Sequence, residues 1–371
     1  MTVPQSQDDI VPGPRADRLR RVVLWLVATT LVLMLLIQAR VFLLPLVIAV
    51  LVFSLTAALI DWILSLRLGA IRFPQWLAST VAVCLVGATL LSLSAILSGQ
   101  IDRAITIAPA YVERAQTMLA GIIDVLDDQT AQGLINAIQD FRIHAYLRSA
   151  AGSAGQLLLM TILVILYVAF LFTEKPWMAG KLSSLVRDTS RAADVTAVVA
   201  AIRKAIHHYL LVKAAVSAVT GVTVYAILRS FSIEFAETLA LLTILLNFIP
   251  NVGSIVASVL AVLIGAIQLG DIEAILMLTL LVSLAQFVLG NVVDPMMMGR
   301  SLRMSPFGII VSLTFWGAIW GIAGMFLAVP LMVMIAIICA HTPSLSLVAV
   351  LLSRDGCLPG DAGTSVEGNP P

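Results

Sequence analysis

The sequence predicts an all-α, polytopic integral membrane protein of about eight membrane segments. Three observations predict it. Of 371 residues, 60% are apolar and only 12% charged, against roughly 25% charged in an ordinary soluble protein. Mean hydropathy is +1.04. Uncharged runs near the roughly 20 residues that a helix needs to cross a bilayer recur along the chain. They are apolar all round rather than alternating, which argues against a β-barrel. Twenty-two basic and 21 acidic side chains cannot coat a soluble molecule of this length. A soluble enzyme, a disordered chain and a nucleic-acid binder are excluded, and a net charge of +1 implies no acidic polymer as partner. The partner this composition demands is the lipid bilayer.

The first element is Val22–Ala39, led by Arg15, Arg18, Arg20 and Arg21. Gln38–Val41 offers no convincing cleavage site, so the segment reads as an uncleaved anchor with its basic side in the cytoplasm. Val41–Ile60 follows after Arg40 alone, which predicts a tight helical hairpin with its tip outside, and Arg67 and Arg72 then fall inside. Phe73–Ile101 is the third span. Residues 99–148 hold four basic and six acidic residues, and apolar positions at helical spacing (Met118, Ile122, Val125, Leu126, then Leu134, Ile135, Ile138). They read as an extracytoplasmic insert of amphipathic helices lying on the outer surface or against a neighbouring subunit. Ser149–Thr173 crosses back, and the connection 174–208, with six basic residues against three acidic, belongs inside. Tyr209–Leu228 is the next span, interrupted only by Lys213, read as a basic group that snorkels to the interface. The layout is thus 1–98 (tail and three helices), 99–148 (outer insert), 149–340 (a core with broken helices) and 341–371 (a flexible cytoplasmic tail).

Simple counting fails at Thr238–Gly270, 33 residues without a charge. As one helix it would be about 50 Å long, well beyond the bilayer core. Its middle, Asn247–Ser254, contains Pro250, Gly253 and two asparagines, residues that break or cap helices. Crossed once, this run puts Arg300 and Arg303 on the outer side, against the charge bias. Read instead as a re-entrant hairpin entered from outside, it lets Ala274–Val293 run inward and both arginines fall in the cytoplasm. Ser305–Ala340 is then a second hairpin, entered from inside and broken near Gly317–Gly324. Two oppositely oriented hairpins satisfy charge and length together; single crossings remain the alternative.

Irregular backbone at membrane depth is tolerated where protein or a water-filled cavity satisfies it, and opposed broken helices are how many secondary transporters build a substrate site. Asn247, Pro250, Asn251, Gly253 and Ser254 are therefore candidate pathway residues, with N–H groups freed after Pro250 as positive dipole ends; a packed helix kink is the plainer reading. Gly253, Ala257, Ala261 and Gly265 form a small-residue stripe, and Gly317, Gly321 and Gly324 a second. Asp294 ends its span either as an interfacial group, paired with Arg300 or Arg303, or as an ion-coupling carboxylate, with Gln286 and Asn291 on the same helix. Asp61 reads as interfacial. Cys84, Cys339 and Cys357 form no framework and read as small core or tail residues. His207 and His208 are adjacent and do not share a helix face, so no metal site is expected. No nucleotide or metalloprotease motif is present, and neither enzyme activity nor a cofactor is expected.

At these residues the sequence resembles a known family. Leu245–Ser254 is similar to the Phe-Ile-Pro-x-Val-Gly signature of the autoinducer-2 exporter family, the PerM-type permeases. Asp294–Leu302 resembles its Pro-x-x-x-Gly-x-Ser-Leu segment, with Ser305-Pro306 where the family usually shows His-Pro. Trp316-Gly317, Gly321–Met325 and Leu327–Pro330 resemble its final signature, which adds Pro330 to the candidate pathway. The resemblance implies a multi-pass protein of the bacterial inner membrane and a homo-oligomer, with a pentamer suggested. It implies export of a small polar solute such as autoinducer-2, or sodium or lithium/proton antiport. A non-transporting scaffold or gated pore, with 99–148 binding a partner, is the third expectation.

Overall fold

The computed structural model describes residues 14–65, 75–123, 143–185, 189–298, 304–342 and 345–353. Every element among them is a helix: α1 (Pro14–Gln38), α2 (Arg40–Ser65), α3 (Gln75–Ile123), α4 (Ile143–Leu185), α5 (Thr189–Ser230), α6 (Ala236–Leu246), α7 (Val252–Leu269), α8 (Ile272–Met298), α9 (Pro306–Ala340) and α10 (Ser346–Leu352). Eight of them, all but α6 and α10, are long and apolar enough to cross a bilayer, as a polytopic membrane protein requires. The chain divides into two compact units, Met1–Leu44 and Pro45–Pro371. In the first, Ala39 alone parts α1 from α2; its N–H donates to the Leu35 carbonyl and its own carbonyl accepts from Phe42 and Leu43.

In the second unit α2, α3 and α4 share a core of Ala49, Val164 and Val168, with Phe53 against Phe172 at 4.5 Å between ring centroids. Ser94 on α3 and Thr161 on α4 join their hydroxyls at 2.6 Å, so a polar pair inside the apolar bundle is satisfied. Both helices outrun their spans. α3 continues through residue 98 to Ile123, and α4 already begins at Ile143. The described parts of the 99–148 insert are therefore continuations of membrane helices rather than separate surface helices. Leu134, Ile135 and Ile138 lie outside the described residues, as do Arg67, Arg72, Arg300, Arg303, Cys357 and the side chain of Asp61.

The long uncharged run is a hairpin. α6 has only 11 residues, about 16 Å at 1.5 Å each, too short to cross. At its base the Glu234 N–H donates to Gln268 Oε1 at 2.7 Å, so the chain returns to where it entered. The buried residues of α7 are Gly253, Ala257, Ala261 and Gly265, the small-residue stripe. A Cβ on Gly253 would collide with the Leu246 carbonyl, and one on Gly265 with the Leu278 side chain. Glycine lets the two arms touch backbone to backbone at 253, and at 265 it admits a side chain of α8.

α9 is a second hairpin, with its apex at Gly321 (φ 64°, ψ −144°), a conformation essentially restricted to glycine. Ser312 Oγ donates to the Ala328 carbonyl at 2.8 Å, Gly308 lies against Met332, and Gly324 against the Trp316 carbonyl. These pairs are all centred on residue 320, next to the Gly321 apex, so the arms run antiparallel. α8 begins beside the base of the first hairpin and ends near the base of the second. Its 27 residues span about 40 Å. The hairpins consequently point at each other, and Phe248 stacks on Phe326 at 4.8 Å where their tips meet. Both runs return to the side they entered from, which discards the single-crossing alternative.

α5 and α8 are antiparallel neighbours: Leu228 and Leu278 share the core near the first hairpin's base, and Lys213 meets Asp294 at the other end. Residues 341–371, expected as a flexible tail, begin with α10, which docks on the second hairpin's base. Ala349 is fully buried there, and Ser305 N–H donates to the Leu352 carbonyl at 3.0 Å. Cys339 is buried as expected, whereas Cys84 faces outward.

Candidate functional site

One face of α5 carries Tyr209, Lys213, Ser217 and Thr220, spaced by four, four and three residues. All four are buried, Lys213 at only 4% exposure. A buried ammonium demands a partner. It finds Asp294: Lys213 Nζ donates to Asp294 Oδ2 at 2.7 Å. Lys213 therefore does not snorkel, and Asp294 is paired across the bundle to α5. One turn along α5, Ser217 accepts from the Asn247 amide at 3.1 Å, which ties the tip of the first hairpin to the same seam. Asp294 Oδ1, the Tyr209 hydroxyl and Gln286 Nε2 are buried without a protein partner, as are Nε2 of His207 and of His208 just before Tyr209 on α5.

The chain aims Asp294 by a local device. Along α8 the buried positions Leu278, Val282, Gln286 and Leu289 advance by four, four and three. Residues Leu289–Val293 then form a π-turn, and the Asp294 N–H donates to the carbonyl of Leu289, five residues back. The extra residue delays the α5-facing side by one position, and half-buried Asp294 reaches Lys213 from it. Pro295 supplies the cause: it lacks an N–H and its ring crowds the carbonyl four residues before it, which a widened turn relieves.

At the first tip Asn251 has φ 61° and ψ −52°, and Val252 N–H donates to the Pro250 carbonyl at 2.6 Å. This is a γ-turn with positive φ, a strained form seen where surrounding structure enforces it. Gly253 N–H donates to Ile249 and Ile255 N–H to Asn251, so with Val252 three of the N–H groups after Pro250 that sequence alone leaves free are paired within the tip. Ser254 Oγ donates to the Asn251 carbonyl. Of the sequence-predicted residues, Asn247, Gln286 and Asp294 line the seam on α5. Pro250, Gly253, Gly317, Gly324 and Pro330 build the two hairpins, with Pro330 and Gly324 buried. Asn251 and Gly321 stand exposed at the apices, and Asn291 is exposed with its amide on the Phe287 carbonyl.

Sequence reasoning missed Tyr209, Lys213, Ser217, Phe248 and Phe326. For the first three a signal existed: the polar residues of an otherwise apolar span fall on one helix face. Chemically the seam offers a carboxylate oxygen, a phenol and an amide free to bind, beside a charge pair in a low-dielectric interior. Such a set can take a proton, a small cation or the hydroxyl groups of a polar solute. Among the described residues no three His, Cys, Asp or Glu converge as a metal site.

A tip-to-tip pair of opposed hairpins is a transporter's geometry, and comparison with known proteins bears on it directly. Residues 24–344 match the model of the AI-2E family transporters. The chain belongs to that family. Over 318 residues, 84% of this chain and 88% of the relative, it is 29% identical to the AI-2 transport protein TqsA of Escherichia coli K12. A Haemophilus influenzae protein named for transport is 27% identical over 76% of this chain and 82% of its own length. YhhT of Escherichia coli K12 is 36% identical over 40% of this chain and 42% of its own. This AI-2E family transporter places the break at Asn247–Ser254, the π-turn before Asp294 and the Gly321 apex all within the matched region.

Proposed function

We propose that the protein is a secondary transporter that exports a small polar solute through the space between the two hairpin tips. One observation carries the reading: two oppositely directed broken elements meet at Phe248 and Phe326, and Asn247 of the first tip is bonded to the face of α5 that carries the Lys213–Asp294 pair. The name of the relative TqsA supports autoinducer-2 as the first solute to test. The relatives' transport names support a carrier rather than an enzyme. The reading includes both termini on the cytoplasmic side, supported by the basic residues Arg15, Arg18, Arg20 and Arg21 ahead of the first span. The reading includes residence in the bacterial inner membrane and a homo-oligomer, the pentamer being its first candidate.

Inverted membrane vesicles containing the protein test this reading. They should accumulate autoinducer-2, or another member of a panel of small polar solutes, above vesicles without it and in response to an imposed ion gradient. Equal accumulation for every solute would reject it. A second reading, a monovalent cation/proton antiporter using Asp294, is favoured by the pairing of half-buried Asp294 with buried Lys213. Sodium flux driven by a pH gradient and abolished in Asp294→Asn would select it over solute export. Flux of either kind surviving removal of residues 99–148 would dismiss the scaffold reading.

A further inference from the structure

We propose that Lys213 is a tethered counter-cation of the transport cycle. It holds the Asp294 carboxylate in one state and competes there with a monovalent cation, a proton or sodium, that takes the carboxylate in another. The inference rests on the transporter reading and names how its ion site works.

The pair is built unlike a structural ion bridge. A buried bridge is stable only when the remaining oxygens and hydrogens are also satisfied. Here Asp294 Oδ1 is buried without a partner, and so is the Tyr209 hydroxyl, one turn from Lys213 on the same face of α5. The unsatisfied oxygen is a coordination position beside an occupied one. When a cation takes the carboxylate, the released ammonium has the Tyr209 hydroxyl as acceptor, one turn back on the same face of α5. Each state thus leaves Lys213 with an oxygen partner.

The pair also sits on a movable register. Asp294 follows the π-turn at Leu289–Val293. Closing that turn to α-helical pitch would rotate the residues beyond it by about 100°, carrying Asp294 off Lys213. On the other side of the pair, Ser217 one turn away holds Asn247 of the hairpin tip. Ion occupancy at Asp294 and tip position are therefore linked through a single helix face. α5 is the element packed against this end of α8. Its titratable groups there are Tyr209, Lys213 and, in the preceding turn, His207 and His208, while Leu289–Met298 contributes Asp294 alone.

The test uses purified full-length protein and its thermal unfolding midpoint. One arm titrates sodium chloride against choline chloride at constant ionic strength; the other titrates protons in choline chloride. In wild type, the midpoint responds to at least one of the two ions. In Lys213→Gln the half-saturating concentration of that ion falls by at least about tenfold, within the roughly 5- to 150-fold coupling usual between two ligands. Lys213→Arg, which keeps a competing cation, stays near wild type. Asp294→Asn abolishes the sodium response and, in the proton arm, the component that Lys213→Gln shifts, the chain's other ionisable groups supplying the rest. If Lys213→Gln fails to fold, the charge-free double variant Lys213→Gln/Asp294→Asn keeps the test open: it should fold and lack the sodium response or proton component that Lys213→Arg keeps. A wild type indifferent to both ions, a folded Lys213→Gln with unchanged half-saturation, or survival of that sodium response or proton component in Asp294→Asn or the double variant overturns the proposal. Flux measured on the same preparations separates the two readings. Ion responses as described without any flux would remove transport and keep the site. Flux indifferent to all four variants would keep transport and remove the site.

Discussion

Phe248, at the tip of the first hairpin, stacks on Phe326, just past the apex of the second, with ring centroids 4.8 Å apart and planes 24° from parallel. Seventy-odd residues and the full length of α8 separate them in the chain. Their contact closes the space between two hairpins that enter from opposite ends of that helix, and it is the most direct expression of the proposed pathway.

Substitution at the apices should cost stability by different routes. Gly321→Ala forces a side chain onto φ 64°, where strain of about 1–3 kcal/mol is expected. Gly324→Ala and Gly253→Ala instead drive a Cβ into the Trp316 and Leu246 carbonyls, which forces the arms apart. Thermal unfolding in detergent should show all three below wild type. Gly270→Ala also has positive φ but open space around it, and should fall less than Gly253→Ala and Gly324→Ala. Equal midpoints across the set would contradict the close approach of the arms.

The Asn247–Ser217 hydrogen bond predicts a non-additive pair. Ser217→Ala leaves the buried Asn247 amide short of an acceptor, a loss of about 1–3 kcal/mol. With Asn247→Leu already in place, the further loss from Ser217→Ala should be markedly smaller. A double-mutant cycle on unfolding midpoints measures this, and strict additivity would mean that the bond holds no energy.

The hairpin orientations predict a labelling pattern. In a chain otherwise free of cysteine, Ile272→Cys at the start of α8 should react with an impermeant thiol reagent added outside. Leu302→Cys, between α8 and α9, should react only when the reagent has access to the cytoplasmic face. The reversed pattern would invert the proposed topology.

Both breaks were legible in the sequence for one reason: a charge-free run longer than the bilayer is thick has to turn, and Pro250 and the glycines at 317–324 say where. The small-residue stripe on α7 was legible because its four-residue spacing has few other uses. The polar face of α5 could have been read from its spacing, but the pairing of Lys213 with Asp294 could not. A lone lysine toward one end of an apolar span looks like a snorkelling residue until its partner is known, and Asp294 lies 81 positions away. Nor could spacing reveal that a π-turn shifts Asp294 onto the buried face, because that turn answers to Pro295 and to packing on α5 together. The helices of the outer insert were expected, but their continuity with α3 and α4 was not, since a charged stretch after a span reads equally well as a new element.

That continuity has a consequence at the outer end. Tyr111, on the part of α3 beyond its span, accepts from Gln268 Nε2 at 2.6 Å and donates toward Glu234 at 3.4 Å. Burial, and then the neighbouring Glu234 carboxylate, push the Tyr111 phenol above its ordinary pKa, so it remains a donor at neutral pH. Gln268→Leu should loosen the first hairpin's base by about 0.5–1.5 kcal/mol for each bond lost. Hydrogen exchange should then rise over residues 229–235 and leave α8 unchanged. Uniform protection in both proteins would show that this network contributes nothing to holding the hairpin.

The measurement that bears most directly on the central claim is a reversible cross-link between the tips. In a cysteine-free background, Phe248→Cys with Phe326→Cys should form a disulfide under mild oxidant. Oxidation should stop transport and a reductant restore it, because the tips must part for solute to pass. Failure of the pair to cross-link, or undiminished transport by the cross-linked protein, would contradict it.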